Sequence, residues 1–200
     1  MRLLSPNLKA CLLFAAALPA FAAAPGASAP DFTIADTSGK EVRLADYRGK
    51  FVVLEWTNPE CPFVRKHYNS NNMQGLQKEW GTKDVVWLTI NSTNAKHDEY
   101  QSPDAMASWM LKQGAAPKAT LIDGTSAAAR AYSAKTTPHM FVVDPAGKLV
   151  YNGAIDDKRS TNVADVKIAN NYVRAALIEA TAGKPVTVAS TAPYGCTLHY

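Results

Sequence analysis

Phe51-Val52-Val53-Leu54-Glu55-Trp56-Thr57-Asn58-Pro59-Glu60-Cys61-Pro62 is the stretch on which the fold turns. Its first six residues are a nearly continuous β-branched and aromatic run. Such a run predicts a strand buried on both faces, as in a parallel sheet. Thr57-Asn58-Pro59-Glu60 reads as a polar loop. Pro62 suits the first position of a helix, where its missing N–H has no partner to lose. Cys61 is thereby placed at the C-terminal end of a buried strand and the N-terminal edge of a helix. Open α/β sheets carry their chemistry at that place.

Outward from this stretch, strands and helices alternate. Phe32 to Ile34 and Val42 to Leu44 flank the turn cluster Asp36-Thr37-Ser38-Gly39-Lys40 and predict a β-hairpin. After Cys61, helical character continues through Val64, Arg65 and Tyr68, and Asn69-Ser70-Asn71-Asn72 breaks it. Met73, Leu76 and Trp80 share a second helical face that ends at Gly81. Val85-Val86-Trp87-Leu88-Thr89-Ile90 is a second buried strand. Ser102 caps a helix whose apolar face holds Met106, Trp109 and Met110. Residues 119–122 predict a strand and 127–132 a short helix. Phe141-Val142-Val143-Asp144, the turn Pro145-Ala146-Gly147 and Leu149-Val150-Tyr151 predict a hairpin. A long helix is expected from about Asn162 to Ala182, stopped by Gly183-Lys184-Pro185. The pattern is that of an α/β layered domain with a central mixed sheet flanked by helices.

The chain has 200 residues, enough for one domain that buries its own core after a targeting segment. Arg2 and Lys9 precede the apolar run 10–18, and Ala20-Phe21-Ala22 offers a small-x-small cleavage pattern. Residues 1–22 are therefore expected to be a signal peptide, with export to the periplasm or the extracellular space. The apolar run is too short to span a bilayer, so no stable membrane insertion is expected after cleavage. Cleavage lowers the formal charge from +4 to +2, because Arg2 and Lys9 leave. No Lys/Arg run points to a nucleic acid. Residues 23–30 hold only Ala, Pro, Gly and Ser and read as a flexible leader. The domain proper is expected over 31–183, with an irregular, mobile tail over 184–200.

Of three cysteines, Cys11 falls in the signal segment; Cys61 and Cys196 remain. An even count in an exported chain invites a disulfide. A helix N-terminus offers free N–H groups and partial positive charge, which favour a thiolate. Arg65, four residues on, shares the helical face and leans back toward the first turn, so its cation is expected to favour the thiolate further. The flanking Pro59, Glu60 and Arg65 argue against burial of Cys61 in apolar surroundings. Thr136-Thr137-Pro138-His139 stands just before the 141–144 strand. A proline there is tolerated at a strand's start, and a cis bond is a recurring solution.

These features resemble the redoxin group, which holds the peroxiredoxins (the AhpC/TSA family) and the exported thioredoxin-like reductases. The resemblance rests on the hairpin with Gly39-Lys40, on Leu44-Ala45-Asp46-Tyr47-Arg48-Gly49-Lys50, and on the buried strand leading to Cys61. It rests also on Thr137-Pro138 before Phe141-Val142-Val143-Asp144, and on Gly153-Ala154-Ile155-Asp156-Asp157 and Tyr194-Gly195-Cys196. It implies a thioredoxin-like fold in which Thr137 and Pro138 form the cis-proline loop that shapes the pocket. The departures are specific. Val64 stands where thioredoxins carry their second cysteine. Leu54 and Asn58 stand where peroxiredoxins carry a proline and a hydroxyl, and the distant peroxiredoxin arginine falls on Pro138. Thr57 is one residue from the hydroxyl position, and Arg65 or Asn58 could stand in for the missing groups.

The resemblance implies an exported thiol oxidoreductase of peroxiredoxin-like, antioxidant or thiol-disulfide type. Cys61 would be its nucleophile, Arg65 its electrostatic aid, and Cys196 the resolving thiol for a sulfenic acid. The partners would be a small oxidant or a protein thiol or disulfide, with an external thiol reductant; no cofactor and no metal are expected. Two alternatives stay open. One is a copper-handling protein using Cys61 and His139, although soft copper sites normally use more sulfur. The other is a non-catalytic module stapled by a Cys61–Cys196 disulfide, worth about 5 kcal/mol on a chain-entropy account. His67, six positions from Cys61, faces away and is expected at the surface. His97 falls in a polar loop, His199 beside the terminus, and Asp156 and Asp157 read as turn residues.

Overall fold

The computed structural model of the protein describes residues 23–200; the expected signal segment, with Cys11, lies outside the described residues. The chain opens with a hairpin, β1 (Thr33–Ala35) and β2 (Glu41–Arg43), Thr33 opposite Arg43. Its turn is held by Asp36, whose carboxylate accepts from the Ser38 and Lys40 N–H groups at 2.8 and 3.0 Å. A 3-10 turn over Leu44–Tyr47 leads to β3 (Val52–Trp56). There follow α1 (Pro62–Asn69), α2 (Asn72–Gly81), β4 (Val86–Asn91), α3 (Pro103–Lys112), β5 (Ala119–Ile122) and α4 (Ala127–Tyr132). The short β6 (Thr136–Thr137), then β7 (His139–Val143) and β8 (Leu149–Gly153), precede α5 (Tyr172–Thr181) and β9 (Cys196–Thr197).

The main sheet has the order β5-β4-β3-β7-β8, with β3 central. β3 runs parallel to β4 and antiparallel to β7. This is the thioredoxin-like α/β arrangement. Because strand side chains alternate, β3 feeds two cores. Leu54 and Trp56 pack with Leu88, Ile90, Phe141 and the α4 residue Tyr132 on one face. Val53 packs with Trp87, Val142 and the apolar sides of α1, α2, α3 and α5 on the other. A strand covered on both faces has no polar side to show, which is why its sequence is nearly unbroken in apolar residues. Among the described residues, no helix is long and apolar enough to cross a membrane.

Three expectations are corrected. Residues 23–30 are docked: Gly26 N–H donates to Leu149 O at 2.7 Å, and Ala29 N–H to Gly147 O at 2.9 Å. Ala23 and Ala29 are buried, so the small residues fit against the sheet edge instead of forming a loose leader. The helix expected over 162–182 is divided. A 3-10 stretch covers Val163–Ile168, and α5 starts afresh with Asn171 as its N-cap, accepting from Arg174 N–H at 2.8 Å. Asp157 takes both the backbone and side-chain N–H groups of Asn170, at 3.0 and 2.8 Å, and so draws the chain out of helix. His67 is fully buried. Tyr194 and Asp156 cover its side of α1.

Glu55 lies inside β3, completely buried. Its carboxyl accepts from Trp87 Nε1 at 2.7 Å and from the Tyr68 hydroxyl at 2.8 Å, with Gln77 Nε2 at 3.3 Å. Burial pushes its pKa up to about 7, against the opposing pull of those donors. The folded protein therefore holds a proton on Glu55 that the unfolded chain, near 4.5, has released. The sign follows: stability is full below about pH 4.5 and falls as pH rises toward 7. In Glu55→Gln the amide nitrogen can face the Tyr68 hydroxyl and the oxygen Trp87. Urea unfolding is expected to show this variant gaining about 2–3 kcal/mol relative to wild type between about pH 5 and about pH 8. A pH-independent difference would refute the buried proton.

Candidate thiol site

Cys61 is the N-cap residue of α1, with extended backbone and Pro62 in the first helical turn. The 58–61 loop is closed by Cys61 N–H donating to Asn58 O at 3.1 Å, and Arg65 N–H takes Cys61 O at 2.9 Å. The thiol itself donates to Thr137 O at 2.9 Å. Thr137 and Pro138 are joined by a cis peptide at the end of β6. Cys61 is completely buried, which corrects the expectation drawn from its polar neighbours. Those neighbours turn outward and satisfy each other. Arg65 donates to Pro59 O at 2.6 Å and to the Glu60 carboxylate at 2.6 Å. Its charge is thus engaged at the surface by Glu60 instead of being offered to the sulfur.

The other thiol comes from the far end of the chain. β9 pairs antiparallel with β6, placing Cys196 opposite Thr137. Cys196, partly buried, packs against the same apolar cluster that holds Cys61. Burial, then the nearby Cys61 sulfur, then Glu99, push the Cys196 thiol up to about 12. Both cysteines are free thiols in this structure. The site expected from Cys61, Thr137, Pro138 and Cys196 is brought together; Arg65 lies at its rim.

Gly195 makes the approach feasible. Its φ is +147°, and a Cβ there would sit 2.0 Å from Thr137 O, the atom that accepts the Cys61 thiol. Tyr194, just before it, is buried and anchors the tail beneath α1. Its hydroxyl donates to Asp156 and lies 3.3 Å from His67 Nε2. Asn72 Nδ2 donates to His67 Nδ1 at 2.9 Å, which leaves the imidazole proton on Nε2, facing Tyr194. Burial, reinforced by the Lys66 charge, pushes His67 down to about 3, so the chain Asn72–His67–Tyr194–Asp156 carries a neutral imidazole. Lys66, also buried, donates to Lys158 O at 2.7 Å and stands 3.8 Å from Asp156 Oδ2. That oxygen has no hydrogen-bond partner, so its compensation is the Lys66 charge. Asp156 is therefore a buried anchor as well as the turn residue expected, since its Oδ1 also accepts from Lys158 N–H at 2.9 Å.

Sequence reasoning missed Glu55, Lys66, His67, Asp156 and Tyr194. The available signal for Glu55 was a carboxylate inside an otherwise apolar strand, which demands buried donors. The others carried none, because they meet only through segments far apart in sequence. The copper pairing of Cys61 with His139 loses its ligand. His139 Nδ1 accepts from Lys135 N–H at 3.2 Å, and Nε2 therefore donates to Asn152 Oδ1 at 2.8 Å. Burial pushes His139 down to about 4, and both nitrogens are used. The substitutes for a peroxide pocket are also engaged. Asn58 donates to Thr93 Oγ1 and Glu99 O and accepts from Glu60 N–H.

A five-stranded mixed sheet with a helix-capping cysteine beside a cis-proline turn defines a thioredoxin-like protein of the redoxin class. The AhpC/TSA family pattern matches residues 25–152, and the chain belongs to that family. It is similar to the thiol-disulfide oxidoreductase ResA of Bacillus subtilis, 27% identical over 62% of this chain and 64% of the relative. ResA of Geobacillus thermodenitrificans is 41% identical over 28% of this chain and 36% of the relative. The chain thus spans between about a third and two thirds of these relatives. The crystal structure of an uncharacterized conserved protein from Geobacillus kaustophilus superposes with a TM-score of 0.78. It is 29% identical, over 89% of this chain and 93% of that one.

Ala in place of Gly195 puts its Cβ onto Thr137 O in a backbone region other residues avoid, a strain of about 1–3 kcal/mol. Gly195→Ala is expected to undock β9 and raise the rate of Cys196 alkylation by roughly tenfold or more. An unchanged rate would mean that β9 does not depend on this contact.

Proposed function

We propose that this protein is an exported thiol-disulfide oxidoreductase whose redox pair is Cys61 and Cys196. One observation carries the reading: β9 sets Cys196 opposite Thr137, the residue whose carbonyl accepts the buried Cys61 thiol at the N-terminus of α1. The likeness to ResA supports this chemistry over peroxide reduction. So do the bonds that already hold Asn58 and Arg65, the residues that would have to receive a peroxide. An even pair of cysteines fits an oxidising compartment, reached through removal of residues 1–22.

Exposure and leaving-group chemistry assign the steps. Cys196 is the less buried of the two cysteines, so an external thiolate attacks the oxidised pair there. The Cys61–Cys196 bond breaks, and Cys61 leaves as a thiolate in the field of the α1 N-terminus. A second thiolate expels Cys196 as a thiolate, which takes up a proton from water, and carries away the new disulfide. The reduced pair then works in the opposite direction. With the tail lifted, Cys61 attacks a partner disulfide, forming a mixed disulfide and expelling one thiolate. Cys196, its proton removed, attacks the Cys61 sulfur and releases the second thiolate, closing the pair again. Two electrons pass from the external thiols to the partner disulfide. Thr137 O holds the Cys61 proton in the resting thiol, and the cis-proline turn shapes the wall a partner meets.

In a disulfide-exchange assay, Cys61→Ser is expected to abolish turnover. Cys196→Ser is expected to stop after one half-reaction and accumulate a mixed disulfide at Cys61, visible by mass spectrometry under non-reducing conditions. Turnover by Cys61→Ser at the wild-type rate would overturn the assignment.

A further inference from the structure

A second cluster of ligating groups lies beside the thiol pair. His97, Glu99 and His199 place one imidazole nitrogen or carboxylate oxygen each within 4.8 Å of one another. We propose that these three residues bind one zinc ion that ties the C-terminal tail to the 94–100 loop. The set of two imidazoles and one carboxylate suits zinc, with a water in the fourth position. Softer sulfur ligands, which would favour copper(I), are not among the three.

The backbone is already arranged for it. Asn94 N–H donates to His199 O at 2.9 Å, and His97 N–H donates to Asn94 O at 2.9 Å, so the loop and tail are held edge to edge. Glu99 O accepts from Asn58 Nδ2, which fixes the loop to the segment before Cys61. Leu198 is buried and donates its N–H to Lys135 O, steadying the residue before His199. The two imidazole rings stack at 3.8 Å with 13° between their planes. Tetrahedral zinc, with bonds of about 2.0–2.1 Å, needs its ligand atoms about 3.3 Å apart. Rotation of these partly exposed side chains supplies the contraction. The Glu99 N–H bond to His97 Nδ1, at 3.2 Å, gives way, because a neutral imidazole with one nitrogen on the metal carries its proton on the other.

The ligands come from two segments that meet only when β9 is docked, so the ion binds the docked tail and not the lifted one. At a free zinc concentration 100 times its Kd, the lifted fraction falls about 100-fold. The binding claim stands apart from the redox reading of Cys61 and Cys196.

The test removes the thiols as competing ligands. Zinc titration of the Cys61→Ser/Cys196→Ser protein by calorimetry is expected to give one ion per chain. His97→Ala and His199→Ala in that background are each expected to weaken it at least about tenfold, the loss of one of three protein ligands. No binding, or affinities within threefold of the parent in both variants, overturns the site. In the Cys61→Ser protein, zinc is then expected to slow iodoacetamide alkylation of Cys196 at least about tenfold, and to lose that effect in His199→Ala. Equal slowing with and without His199 would place the zinc on the Cys196 sulfur and overturn the tail clamp.

Discussion

Thr137 accepts the Cys61 thiol through its carbonyl at 2.9 Å and, within the same two-residue strand, pairs with Cys196. The rest of the site depends on this double use of one peptide segment. It gives the buried cysteine a hydrogen-bond acceptor, so the sulfur need not be satisfied by water. It also fixes the register of the C-terminal strand, so that the second sulfur arrives opposite the first. A shift of one residue would turn Cys196 to the other face of the ladder. Gly195, with no Cβ to strike Thr137 O, is what lets the two segments approach.

The tail is held from both sides of that contact. Upstream, Tyr194 reaches a buried network of Asp156, His67 and Lys66 under α1. Downstream, Leu198 is buried and its N–H is taken by Lys135 O. A two-residue strand has little stability of its own, so these side-chain anchors decide how often it opens. Elements with few backbone bonds of their own are those that open most readily. The geometry therefore suits a thiol that is covered at rest and uncovered by a local movement, without rearrangement of the sheet.

Much of this was legible before the structure. The apolar run of β3, its polar loop and Pro62 placed Cys61 correctly, because a both-faces-buried strand and a proline at a helix start leave plain local signals. Thr137 and Pro138 were marked by the proline before the β7 strand. The hidden parts were non-local. Nothing near Cys61 announces that Cys196 covers it, and polar neighbours suggested exposure when they in fact paired with each other. His67 was expected at the surface, but helical period alone does not say what covers a given side of a helix. The break before α5 came from Asp157 taking the Asn170 donors across thirteen positions, which no window of helical periodicity registers.

The reduction potential of the Cys61–Cys196 pair tests the central claim most directly. It is measured by thiol labelling of the protein equilibrated against a glutathione series. A working exchange pair is expected above about −230 mV, among the catalytic disulfides. A value below about −300 mV would mark the bond as a permanent staple and contradict the account.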